Sequence, residues 1–76
     1  VYTMEEALGR MRSLIGFAGD WTDISTWLPD GWGNDPVKRR SATAATFAAS
    51  LELVKEGKAE IRQEETFAPV QVRRKD

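Results

Sequence analysis

Twelve carboxylates and eleven lysine and arginine side chains are the reactive groups open to this 76-residue chain, which has neither histidine nor cysteine. Without imidazole, the usual general base near neutral pH and the usual zinc ligand are missing. Without a thiol there is no disulfide and no thiolate metal site. The carboxylates are scattered. Glu64 and Glu65 are adjacent in an expected loop, where neighbours in an extended segment point apart. No glycine-rich loop ends in Lys-Ser or Lys-Thr, and no spacing suits a metal. A nucleophile, base and orienting group cannot be assembled without histidine or cysteine, short of a Ser-Lys arrangement that nothing in the sequence suggests. The sequence therefore predicts a protein that is not an enzyme and needs no cofactor and no metal.

The basic residues offer a second kind of chemistry, contact with phosphate or with acidic groups. Two short clusters stand out, Lys38-Arg39-Arg40 and Arg73-Arg74-Lys75. The net charge is −1 and the pI about 5.4, so the chain has no overall pull toward nucleic acid. The first cluster reads as the solvated first turn of a helix, and the second as a solvated tail. Trp21 and Trp27 have Asp20, Asp23 and Asp30 as neighbours, which disfavours base stacking and favours the core. Trp32, inside the turn-forming run Pro29-Asp30-Gly31-Trp32-Gly33-Asn34-Asp35, reads as a lid on that core or an interface anchor, with the lid favoured.

Three helices and a hairpin must position these groups. Residues 3–16 form the first helix: Thr3 and Glu6 have capping-box spacing, Met4, Ala7, Leu8, Met11, Leu14 and Ile15 share a face, and Gly16 is the expected stop. Trp21-Thr22 reads as a short extended piece. Asp23 or Ser25 caps a second helix that includes Ile24, Trp27 and Leu28 and ends before Pro29. Asp35-Pro36 opens the third, and Gly57 ends it. Residues 58–63 and 69–73 alternate as two strands of a hairpin, joined by 64–68. Pro69 suits an edge strand, so 70–73 is expected to be the outer strand, with backbone groups open to a partner.

The third helix is apolar on two sides. Ala44, Phe47, Leu51 and Val54 form one stripe, and Ala42, Ala45, Ala49 and Leu53 the other. One must face the domain's own core, and the sequence leaves open which. The whole is one domain over residues 1–76, mainly α with a small β-hairpin, an α+β chain in the order of a winged helix-turn-helix with a C-terminal wing. Winged helices often place their third helix in the DNA major groove, so a DNA-binding domain is the alternative. Residues 41–54 hold no arginine, lysine, asparagine or glutamine to read bases, which favours protein binding through apolar surface. No apolar run approaches the length of a membrane span, and no signal-peptide pattern is present. A start at Val1 suggests a fragment of a longer chain.

The run Phe47-Ala48-Ala49-Ser50-Leu51-Glu52-Leu53-Val54-Lys55-Glu56-Gly57, with Ile61-Arg62-Gln63 and Phe67-Ala68-Pro69-Val70, resembles the C-terminal winged-helix domain of the bacterial kleisin ScpA, segregation and condensation protein A. The shared pattern is Phe, Leu-Glu-Leu, a glycine at the helix end, a Gln closing the first wing strand and a Phe before the second. The first helix, with Glu5-Glu6-Ala7 and residues 11–15, also fits, so the resemblance covers nearly the whole chain. Ala48 and Ser50 are small where larger aliphatics are frequent, and Pro69 replaces a common acidic or polar residue. The resemblance implies the C-terminal end of a kleisin, docked on the ATPase head of an SMC protein, in chromosome condensation, segregation and cell division. It implies a ScpB-like companion bound through the rest of the kleisin, DNA met only through the complex, no membrane, and a cytoplasmic, nucleoid-associated location. Carried over to this sequence, the contact residues are Phe47, Leu51, Phe67, Val70 and Val72.

Overall fold

The computed structural model describes residues 2–29, 31–66 and 68–75. Helix α1 (Met4–Leu14) begins at its expected cap, where the Thr3 hydroxyl accepts the Glu6 backbone N–H at 3.2 Å. Glu5 and Glu6 occupy the positive first turn. Gly16 is not the stop. The α-helix already ends at Leu14 and tightens into a 3-10 turn, Ile15–Phe17, and Gly16 does not take the left-handed backbone of a terminal glycine.

Strand β1 (Thr22–Asp23) leads into a second 3-10 turn, Ile24–Trp27, capped by Asp23 through the Ser25 N–H at 2.8 Å. A full helix was expected here, and the chain leaves no room for one. Pro29 favours extended backbone at Leu28, which has φ −72° and ψ 143°, so only four residues remain between cap and break. Helix α2 (Pro36–Lys55) follows the sequence reading closely. Asp35 Oδ1 accepts from the N–H groups of Val37 (2.8 Å) and Lys38 (3.3 Å), with Pro36 at the first helical position. Gly57, at φ 76°, turns the chain out of the helix.

Strands β2 (Ala59–Arg62) and β3 (Gln71–Arg74) pair antiparallel, with Ile61 opposite Val72. β1 joins on the other side of β3, Thr22 opposite Val72, so the sheet order is β1-β3-β2. This overturns the expected outer strand at 70–73: β3 is central, paired along both sides, and the sheet edges are β1 and β2. Nor are Arg73 and Arg74 a solvated tail. Both lie in β3, and the Arg74 N–H donates to the Ala18 carbonyl at 2.9 Å. The described residues are thus α+β, with two α-helices and a small three-stranded antiparallel sheet.

The core lies between α1, α2 and the sheet. Ala7 and Met11 of α1 meet Ala42, Ala49 and Leu53 of α2, and Trp27, Ala59 and Val72 close the cluster. Thr46 and Ser50 share the buried face of α2 without orphaned hydroxyls: Thr46 donates to the Ala42 carbonyl at 2.7 Å and Ser50 to the Thr46 carbonyl at 2.8 Å. Trp32 is half-buried, 5.5 Å from the Tyr2 ring, as a lid would be. Trp21 is not in the core. It covers the outer face of the sheet beneath the guanidinium groups of Arg62 (4.4 Å) and Arg73 (4.6 Å). Those arginines are tied across the strands to Gln71 and Glu60, at 2.8 and 2.9 Å.

Two consequences can be measured. Ala49 is fully buried where α1 packs on α2, so Ala49→Leu must overpack that contact, and urea unfolding should show a loss of about 1–3 kcal/mol. Arg12 grips Glu56 with two hydrogen bonds, 2.8 and 2.7 Å, joining the C-terminal ends of the two helices. Those bonds hold the Glu56 carboxyl below its ordinary value. A depressed folded pKa means the contribution is present above the unfolded pKa and lost as pH falls through the folded one. Carboxyl-carbon NMR should therefore find Glu56 titrating at lower pH than in the Arg12→Gln variant; equal midpoints would show that the pair does not form in solution.

Candidate functional site

Because α2 turns its alanine side inward, its other stripe has no core to join. Phe47 is 40 % exposed, Leu51 46 % and Val54 37 %, one above another along the outer side of the helix. Beside them runs an open groove of about 810 Å³ between the N-terminal half of α2 and the segment entering β3. Its apolar lining comes from Ile24, Pro36, Ala44, Phe47 and Val70. A shallower extension of about 200 Å³ shares Phe47 and Val70 and reaches Leu51 and Ile61. The Ile24 N–H donates to the Val70 carbonyl at 2.9 Å, which fixes the groove wall to the second 3-10 turn.

The five expected contact residues divide. Phe47, Leu51 and Val70 come together on this one surface. Val72 does not: it is fully buried at the centre of the sheet, opposite Ile61 and Thr22, and has no side-chain surface to offer a partner. Phe67 lies outside the described residues. The structure adds Ile24 and Ile61. Ile61 carried a signal, the strand alternation that marked it as half-buried. Ile24 carried none, since its position depends on where the second 3-10 turn docks.

The electrostatics of the groove are one-sided. Arg39 and Arg40 line the larger part and Arg62 the smaller, and among the described residues no carboxylate lines either. Elsewhere the arginines are engaged: Arg10 with the Trp27 carbonyl at 2.9 Å, Arg12 with Glu56, Arg73 with Glu60. Lys38 lies 5.8 Å from the centre of the Trp32 ring. Among the described residues, no group of three acidic side chains is placed to hold a metal ion, and no helix is long and apolar enough to cross a membrane. What the arrangement offers is an apolar strip with a cationic rim.

Neighbouring leucines separate the surface from the core. Leu51→Ala should lower stability by less than about 1 kcal/mol, whereas Leu53→Ala should cost about 2–5 kcal/mol, both read by chemical denaturation. A large loss at Leu51 would mean that the stripe is part of the core in solution. No protein-family model matches the chain, and no curated protein is significantly similar to it.

Proposed function

We propose that this chain is a winged-helix protein-interaction module, the end of a ScpA-like kleisin that docks on the ATPase head of an SMC protein. The observation that supports it best is the exposed stripe Phe47, Leu51 and Val54, which continues into Val70 and Ile61 beside the hairpin. The element order also suits a winged helix. α1 and β1 come first, the 3-10 turn stands where a short second helix would, and α2 takes the place of the third. The β2–β3 hairpin is the wing, and the order β1-β3-β2 puts the last strand in the middle. In this reading the module has no catalytic role. ATP hydrolysis belongs to the SMC protein, a ScpB-like companion binds elsewhere on the kleisin, and DNA is reached only through the complex, at the nucleoid.

The contact draws on Phe47, Leu51 and Val70, with Phe67 of the wing implied by the resemblance and Val72 removed from the set. Each large side chain buried at the centre of such an interface contributes about 1.5–3 kcal/mol. DNA binding through α2 is less well supported, since residues 41–54 of the helix carry no arginine, lysine, asparagine or glutamine to read a base edge.

The test is a pull-down of the cognate SMC head by wild type and by Leu51→Arg. Leu51 is on the surface, so the variant should keep the wild-type circular dichroism spectrum and lose the head. If the folded variant retains it at wild-type affinity, α2 is not the contact.

A further inference from the structure

The groove has a chemical polarity that says what kind of segment fits it. Its floor is apolar from Ala44 through Phe47 and Val70 to Leu51. Among the described residues, every charged side chain lining it is an arginine. The side chains of Arg39 and Arg40 have no hydrogen-bond or ion-pair partner among the described residues, while those of Arg10, Arg12, Arg62 and Arg73 each have one. Arg39 and Arg40 also stand near the N-terminal end of α2, where the helix dipole adds to the positive potential. At the far end Arg62 is held by Gln71 and against Trp21, so its position is set before anything binds.

We propose that the groove takes an acidic amphipathic helix of the partner. Its apolar side rests on Phe47, Val70 and Leu51, and its carboxylates reach Arg39 and Arg40 at one end and Arg62 at the other. The inference deepens the docking reading and rests on it, by naming the chemistry of the docked segment. From Arg40 to Leu51 α2 rises about 16 Å, which matches about three turns of a bound helix. A second copy of this chain is disfavoured as the occupant: groove against groove would set these arginines against their own kind. Nucleic acid is disfavoured too, because two free arginines and Lys38 fall short of the phosphate contacts a duplex needs, and the floor between the charged ends is apolar.

The experiment is a peptide-display selection on the 76-residue chain. The library places apolar residues at helical spacing and lets each polar position be Glu, Lys, Gln or Ser. The expected outcome is enrichment of peptides rich in Glu, with binding that shifts the NMR signals of Phe47, Leu51 and Val70. Affinity should fall about tenfold in Arg39→Glu/Arg40→Glu and about threefold in Arg39→Gln/Arg40→Gln, whose fold is confirmed by the same spectra. No enrichment, enrichment without acidic bias, or shifts at these residues with a DNA duplex instead would each overturn the proposal. Its failure is separable from failure of the docking reading. An SMC head that binds wild type and the charge-reversed variant equally removes the acidic segment but keeps the docking. Acidic peptides that bind a chain the SMC head ignores do the reverse.

Discussion

The close contact between α1 and α2 is the constraint on which the rest of this small structure depends. Ala42, Ala49, Thr46 and Ser50 give α2 a side with little bulk, and Ala7 answers from α1. The volume between the elements is filled by Met11 from α1, Leu53 from α2, Trp27 from the second 3-10 turn and Val72 from the central strand. A chain of 76 residues has room for a single core, so a helix apolar on two sides can bury only one of them. The small-residue side takes that place, and Phe47, Leu51 and Val54 are left outside as a consequence. The exposed stripe and the core are two faces of one packing choice.

The charged residues follow from the same arrangement. Arg12 and Glu56 pair where the two helices end side by side. Arg62 and Arg73 stiffen the outer sheet face over Trp21 and leave the inner face to Val72 and Ala59. The side chains of the groove-lining Arg39 and Arg40 make no hydrogen bond or ion pair among the described residues. Their charge is available to something else.

Features governed by a few adjacent residues could be read directly. Thr3 and Asp35 cap helices because their side-chain oxygens reach N–H groups two or three residues on, and Gly57 stops α2 because it accepts a left-handed backbone. The two hairpin strands announced themselves by alternation. Gly16 failed as a stop because the helix tightens before reaching it, and the second helix failed because Pro29 cuts it to a single 3-10 turn. Both misreadings weighed one local signal without its competitor.

Strand order, the place of Trp21 and the burial of Val72 belong to a different class. Each depends on β1, a two-residue strand far away in the chain, pairing with β3 and turning the expected edge into the centre. The amino-acid pattern was enough to establish that α2 has two apolar stripes, since that follows from the helical period alone. Which stripe faces water followed only when α1 and the sheet met on the alanine side. Burial is a property of what packs against a side chain, and for Phe47 and Leu51 that depended on residues distant in the chain filling the interior first.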